Sequence, residues 1–575
     1  MTYSIPNQKK RGFLSWTALF AVFFVPTVLF VFWRCPYGFG NIDESFYLTI
    51  PYRLLQGDAL LQEEWHLSQM AGVLTMPLVS AYLKLNGSTE GILLAMRYVC
   101  TAVQCICAVF LYIRLKRMSP VGAILASVSF LLYTPFNIMA LSYNSMGILC
   151  LTVSLVIILT AENKLALQYC VAGLFFAAAV LCCPYLLGVY IVYLAAVAVM
   201  LILRKWKPDL LSDTPLTVKR AVWFTSGAAF AAVLFVGFVL SRGSLQGIIA
   251  AFKPMFNDPE HPPISLLDQT VSFFWCIFFA NDRTPVLYLV LMGLAGVCLL
   301  IRKKPQYKLP VFCLIAATVV MLQLSIFKKN HYINQLMWSA NVLAGFVFLL
   351  TANPKIYRLF FTVWLPGMMY AFCLNLTSNQ MFYAISSASS VATVASIVII
   401  CMYGEELLQA EGMRLGKCAA IVLIGTFLAT QLCTQTILRY QFVFWDSGIN
   451  NMTAQMTDGI EKGLYTTENN KASYYEKLRY LDQLSAYKGE NVLYLSENTW
   501  YYLQNENRSS AYSAWLSGVN DASLDRLEIY YQINPRKLPV AVFADAGYEK
   551  EAVSFSQRFG YTLQTVDGGF LLLPE

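Results

Sequence analysis

Two adjacent carboxylates, Asp43 and Glu44, open the stretch NIDESFYLTIPYRLLQGDALLQEEWHLSQ (41–69), just after the first apolar run of this 575-residue chain. A carboxylate beside a hydroxyl can act as a general base. One at a helix start can equally accept a free backbone N–H and favour the positive end of the helix. The two roles are compatible, because a capped carboxylate is also an oriented one. Later in the same stretch Glu63, Glu64, His66 and Gln69 crowd together. On a helix, a spacing of three sets Glu63 with His66 and His66 with Gln69 on shared faces. That pattern could hold a phosphate or, through Glu64 and His66, a divalent metal; a polar surface helix uses the same residues. In SIFKKNHYINQLMW (325–338), Lys328, Lys329, His331 and Tyr332 lie where one apolar run ends and the next begins. A compact ammonium there suits a phosphate, ordinary lipid headgroups included. Arg97 is the one clear charge inside an apolar run, and the loop FKPMFNDPEHPP (252–263) sets Asp258, Glu260 and His261 among stiffening prolines.

The elements that must position these residues are membrane helices. The chain is 57% hydrophobic and 13% charged, with mean hydropathy +0.55; soluble domains average about 25% charged residues. Apolar runs at 13–34, 89–113, 120–135, 144–161, 165–182, 184–203, 221–240, 285–301, 308–327, 332–351, 357–374, 381–402 and 417–438 are long enough to cross ~30 Å of hydrocarbon. Their uninterrupted length favours helices over barrel strands. The first run, preceded by Lys9-Lys10-Arg11, lacks a small-residue cleavage site and is expected to be an uncleaved span. The 15 cysteines scatter through the spans, so no disulfide framework is expected. The basic residues cluster at span ends, which is not a nucleic-acid footprint.

The Lys/Arg-rich loops holding Arg114/Lys116/Arg117, Arg204–Arg220, Arg302–Lys304 and Lys355/Arg358 fall on one side with the N-terminus, which the positive-inside rule makes cytoplasmic. Thirteen spans then put residues 35–88, the loop 241–284, Lys328-Lys329 and the C-terminus outside. SFYLTIPYRLLQG and SLLDQTVSFFWCIFFA (265–280) suit helices lying on the outer leaflet, the second being the one that could instead span. Beyond residue 439 the apolar runs stop. NVLYL, PVAVFA and GGFLLL read as strands among helical stretches, so 440–575 is expected to be a small extracytoplasmic α/β domain after a 1–439 membrane domain.

Taken together, these features resemble the GT-C glycosyltransferases, with the protein O-mannosyltransferases and the lipid A aminoarabinose transferase the nearest in pattern. IDESFYLTIPYRLLQGD is similar to the family's acidic pair, tyrosine, amphipathic helix and Gly-Asp, matched by Asp43, Glu44, Tyr47, Gly57 and Asp58. SIFKKNHYINQLMW is similar to a second motif, matched by Ser325, Lys328 and Tyr332. Where the family often carries Glu-Lys-Pro-Pro, this chain reads EEWHLSQMAGVLTMP, with only Pro77 retained. Sequence likeness covers roughly a tenth of the chain.

The resemblance implies an all-α polytopic membrane protein of about 13 transmembrane helices with a small C-terminal α/β extracytoplasmic domain. It implies transfer of a sugar from a polyprenyl-phosphate donor to a glycan, lipid or protein acceptor, with inversion. Asp43 would be the base and Glu44 would orient it. Lys328, Tyr332, His331 and Arg97 would steady the leaving phosphate, with Tyr47, Glu64, His66 and Gln69 around the substrate. No cofactor is required if lysine neutralises the phosphate, although Glu64 and His66 leave room for a divalent metal. The rival readings are a non-catalytic GT-C-like envelope protein and a lipid-linked substrate transporter or flippase. A transporter would want ionisable residues and broken helices near mid-bilayer, whereas here the polar residues gather at one side.

Overall fold

The computed structural model describes residues 9–39, 42–162, 164–206, 216–258, 264–280, 282–329, 336–377, 381–409, 414–441, 443, 446–516 and 518–575. The chain opens with α1 (Lys9–Arg34), then α2 (Asp43–Leu55), α3 (Gly72–Asn86), α4 (Ile92–Leu115), α5 (Pro120–Leu132) and α6 (Tyr143–Thr160). There follow α7 (Leu165–Cys182), α8 (Leu186–Trp206), α9 (Val218–Leu240), α10 (Leu245–Phe256), α11 (Leu266–Phe278), α12 (Thr284–Ile301) and α13 (Pro305–Lys329). Next come α14 (Leu336–Leu350), α15 (Pro354–Leu359), α16 (Leu365–Asn375), α17 (Met381–Ala388), α18 (Ser390–Gln409) and α19 (Arg414–Gln441). A π turn at Phe360–Trp364 joins α15 to α16.

Among the described residues twelve helices are long and apolar enough to cross a membrane: α1, α4–α9, α12, α13, α15–α16 as one rod, α18 and α19. The chain is thus a multi-pass, mostly helical membrane protein. Of the thirteen expected spans, 332–351 holds the 15-residue α14, which is not among these twelve, and 381–402 divides into α17 and the longer α18. With 13 residues, α11 reaches about 20 Å, too short for a span, in keeping with a surface helix. Side chains close several helix starts: Ser119 accepts from Gly122 N–H ahead of Pro120, and Ser142 and Ser145 form a reciprocal cap on α6. α7 and α9 touch backbone to backbone. A Cβ on Gly173 would lie 2.0 Å from the Phe224 carbonyl, and one on Gly227 2.0 Å from that of Cys170, so only glycine permits the approach.

The C-terminal region begins with a hairpin of β1 (Ala454–Gln455) and β2 (Tyr465–Thr466), then α20 (Glu468–Leu481), β3 (Asn491–Leu495), α21 (Tyr501–Gln504), β4 (Arg508–Ser509), α22 (Asp521–Ile533), β5 (Ala541–Asp545), α23 (Glu549–Phe559), β6 (Tyr561–Val566) and β7 (Gly569–Pro574). The five longer-range strands form one sheet in the order β4-β3-β5-β7-β6, with β3 parallel to both β4 and β5, and β7 antiparallel to its neighbours. Strand alternation splits the core in two. Leu493, Leu495, Val542 and Ala544 pack with Leu524, Leu527 and Phe555. Val492, Tyr494 and Phe543 join an apolar cluster that also holds Phe46 of α2 and Ile92, Leu93 and Met96 of α4.

That second cluster welds the sheet to the membrane part. Gly91 N–H donates to Gly459 O and Leu93 N–H to Ile460 O, at the start of α4. Arg526 of α22 donates to the carbonyls of Pro254 and Met255 and to Asp258 Oδ1 at 2.9 Å, fixing α10. The opening stretch, the loop after α9 and the C-terminal sheet therefore share one face. Arg34, at the end of α1, also meets α19 there through the Arg439 carbonyl, so α1 begins about 39 Å away, at the opposite face.

Candidate active site

The residues leading into α2 are held by the C-terminal region. Tyr465 N–H donates to Pro36 O at 2.7 Å and Gly38 N–H to Tyr465 O at 2.8 Å, so this segment pairs with β2. Phe39 N–H donates to Asp446 Oδ2. The Thr499 hydroxyl, in the loop after β3, donates to Ile42 O and lies 2.7 Å from Ser45 Oγ, while Thr49 Oγ1 donates to Thr499 O. That loop sits at a special place in the sheet. The chain leaves β3 for β4 on one side and returns to β5 on the other, so the carboxyl ends of β3 and β5 form a topological switch point, where open α/β sheets bind ligands. There Ser496, Asn498 and Tyr501 all donate to Asp545, and Lys477 donates to Asn498 Oδ1 at 2.9 Å.

α2 starts at Asp43 itself. Ile42 holds the capping position and no side chain caps the helix, so the capping role expected for Asp43 gives way to a place in the first turn, still at the positive helix end. Asp43 is half-buried beside two phenols, Tyr47 one turn on and Tyr143 at the start of α6, whose rings lie edge to face at 5.9 Å. Burial, then Tyr143 and Asp43, push the Tyr47 phenol well above its ordinary range, so it stays a hydrogen-bond donor. Phe46 carries His66 edge-on at 4.6 Å and Trp515 of the C-terminal region at 5.3 Å.

Glu44 is committed. Both its oxygens accept from Arg97, Nε to Oε1 and Nη2 to Oε2, each at 2.6 Å, and both side chains are buried. Arg97 also donates to the carbonyls of Cys35, Tyr37 and Gly38. The guanidinium expected to face a leaving phosphate is thus the clamp joining α4, the end of α1 and α2. Bidentate geometry and full burial explain why an arginine is tolerated inside an apolar run.

The expected helix through Glu63, Glu64, His66 and Gln69 is absent: 58–68 is a loop, with a short helical turn only at Gln69–Ala71. The cause is Arg53, which is fully buried and donates to Asp58 Oδ2 at 2.7 Å, Glu64 Oε2 at 2.5 Å, and the carbonyls of Glu63 and Ala511. Lys537 reaches Asp58 Oδ1 at 2.5 Å. Burial alone would raise the Asp58 carboxyl, but Lys537 and Arg53 outweigh it and hold it below its ordinary value. Glu64 Oε1 takes the His66 N–H, His66 Nδ1 faces Ser68, and Gln69 Oε1 takes the Leu61 N–H. Glu64 and Gln69 thus each accept hydrogen bonds that hold this loop in shape. Among the described residues no group of three His, Cys, Asp or Glu side chains converges, and one Glu64 oxygen is already taken by Arg53. Gly57, with φ +105°, makes the turn that aims Asp58 at Arg53, a conformation glycine adopts freely.

Ser325 belongs to α13, and Lys328 is the penultimate residue of that helix. The side chains of Lys328 and Lys329, and His331 and Tyr332 altogether, lie outside the described residues, as do Glu260 and His261.

Further buried charges gather at this face that spacing did not single out. Arg34 donates to Arg439 O and Tyr37 O, and Arg439 to Asn137 Oδ1. Both arginines lie in the last turn of an apolar helix, the only signal available in advance. Glu461, on the loop between β1 and β2, is buried with no hydrogen-bond partner for either carboxyl oxygen. Burial first, then Glu44, pushes this carboxyl well above its ordinary range, against the opposing pull of Arg97 and Lys477.

No protein-family model matches the chain, and no curated protein matches it. Among solved structures it is similar to the archaeal oligosaccharyltransferase AglB from Archaeoglobus fulgidus in complex with an inhibitory peptide and a dolichol-phosphate, with 11% identity over 99% of this chain and 75% of that one and a TM-score of 0.42. It is likewise similar to an Archaeoglobus fulgidus oligosaccharyltransferase tethered by a disulfide to an acceptor peptide containing the NVT sequon, with 9% identity over 99% and 74% of the two chains and a TM-score of 0.43.

Proposed function

We propose that this chain is an integral-membrane glycosyltransferase of the GT-C type, moving a sugar from a polyprenyl-phosphate donor to an acceptor with inversion. The observation that carries the reading is the place of Asp43. It is a half-buried carboxylate in the first turn of α2, beside two phenols, where the membrane helices meet the switch-point loop of the C-terminal sheet. An acceptor bound against that loop presents its hydroxyl to Asp43, which takes the proton as the oxygen attacks the anomeric carbon. Polyprenyl phosphate leaves from the opposite face. Charge developing on it is met by Lys328, in the last turn of α13, and by Tyr332, four residues on in sequence, with His331 between them.

Glu44 and Arg97 act on Asp43 through α2 rather than on the substrate. The phenols of Tyr47 and Tyr143 orient the base, and His66 and Trp515 wall the adjacent aromatic patch. A lipid-borne donor explains a site at a membrane boundary, where a sugar headgroup and a buried tail are both accommodated. The face carrying the C-terminal region is extracytoplasmic in this reading, because the basic loops lie at the other face.

Replacing Asp43 with Asn keeps the shape and removes the base. Transfer from a polyprenyl-phosphate sugar by the purified full-length protein should fall by ~10²–10⁴ with an unchanged unfolding midpoint. Undiminished transfer would sink the assignment and favour a non-catalytic role.

A further inference from the structure

At the far end of α4 from the C-terminal sheet, where α6, α7 and α15 also terminate, lies a cavity of about 1140 Å³. Its charged lining is Arg114, Lys116, Arg117, Lys355, Arg358 and a single carboxylate, Glu162. Glu162 is taken up by Arg117 at 2.7 Å, so the lining as a whole carries a clear excess of positive charge. Arg114 is built in: its guanidinium carbon lies 5.9 Å over the Phe110 ring, Nη2 is 3.4 Å from Gln168 Oε1, and Nε is buried with no hydrogen-bond partner. Lys116 sits over the Tyr112 ring at 5.2 Å, and Arg358 is steadied by the Leu159 carbonyl at 2.6 Å.

Apart from Thr160 and Gln168, the remaining walls are largely apolar and include Trp16 of α1 and Ile113 of α4, which are 36% and 52% exposed on the outer surface of the helix bundle. Concentrated positive charge calls for a polyanionic group. An apolar rim continuous with the bundle surface calls for hydrocarbon next to that group. We propose that this cavity binds an anionic phospholipid, its phosphate against Arg114 and Arg358 and its acyl chains along Trp16 and Ile113. The site is independent of the glycosyl-transfer reading and lies at the opposite face from Asp43.

The test uses the full-length protein in phosphatidylcholine nanodiscs, with brominated phosphatidylglycerol or brominated phosphatidylcholine added in increasing proportion. Trp16 fluorescence is isolated as the difference from a Trp16→Phe variant. Phosphatidylglycerol should quench it at a lower proportion than phosphatidylcholine. The double variant Arg114→Gln/Arg358→Gln should lose about thirtyfold of that preference, as expected for two basic residues at one headgroup. Arg114→Lys/Arg358→Lys, which keeps the charge, should retain most of it and shows that the Gln variant has not merely misfolded. Lys303→Gln/Lys304→Gln, on the same face but outside the cavity, should change nothing. An equal loss in that control, or no preference in the wild type, overturns the proposal. Release of the quenching by soluble glycerol phosphate would overturn the lipid in favour of a free phosphate ester.

Discussion

The clamp between Glu44 and Arg97 gives the sharpest test of how this site is built. Two charge-assisted bonds of 2.6 Å join side chains that are 4% and 2% exposed. Replacing Glu44 with Gln sets an amide donor against a guanidinium donor and leaves a buried positive charge without its counter-ion, a loss of about 3–5 kcal/mol. Arg97→Met strands Glu44 and removes the donor from three backbone carbonyls, so it should cost at least as much. A Glu44→Met/Arg97→Met double variant removes both charges together, and its cost should fall short of the sum of the singles by about 3 kcal/mol. Midpoints from reversible detergent-induced unfolding of the full-length protein, followed by circular dichroism, would complete the cycle. Sugar transfer should decline in each single variant in step with stability, because Glu44 acts by placing the first turn of α2. The reasoning is refuted if the singles add without coupling. It is equally refuted if Glu44→Gln abolishes transfer while leaving the unfolding midpoint untouched, since that would put Glu44 in the chemistry itself.

Asp58 is held below its ordinary value of 3.8, so its contribution is present above that pH and is lost as pH falls through the lower folded value. Asp58→Asn should cost about 3–5 kcal/mol at neutral pH by stranding Lys537, and should flatten the acid limb of an unfolding titration. Glu461 has the opposite sign: its raised value means that stability is full below about 4.5 and declines as pH rises toward the folded value. Glu461→Gln should therefore stabilise the protein at neutral pH, and the difference from wild type in unfolding midpoint should vanish below about pH 4.5. Gly57→Ala meets no atom within 4 Å of its new Cβ, so only the backbone strain at φ +105° opposes it. Its cost should be about 1–3 kcal/mol, measured by the same unfolding assay.

The membrane helices were legible because hydrocarbon thickness fixes how long an apolar run must be. The strands at Asn491–Leu495, Ala541–Asp545 and Gly569–Pro574 were legible because each is a short apolar run bounded by turn residues. β4, with two residues, and β6, whose pattern is largely exposed, carried no such signal and owe their state to the neighbouring strand. The misreading of Glu63, Glu64, His66 and Gln69 as a helix face has one cause. Periodicity assumes that helical spacing governs, whereas Arg53 and Asp58 just before the segment, and Lys537 from the far end of the chain, pull it into a loop.

By itself the sequence determined the kind of molecule: a many-span helical chain with a small C-terminal α/β region and a carboxylate pair at the first exit from the membrane. Composition and run length suffice for that, because burying backbone in lipid leaves few structures open. Only the tertiary structure separated the two members of the pair. Asp43 and Glu44 are adjacent and chemically alike, and no local rule ranks them. Arg97, from the next long helix, reaches Glu44 and takes both of its oxygens, while Asp43 lies beside the phenols of Tyr47 and Tyr143. A partner that arrives from another helix is invisible to spacing, and here it is what distinguishes the clamp from the candidate base.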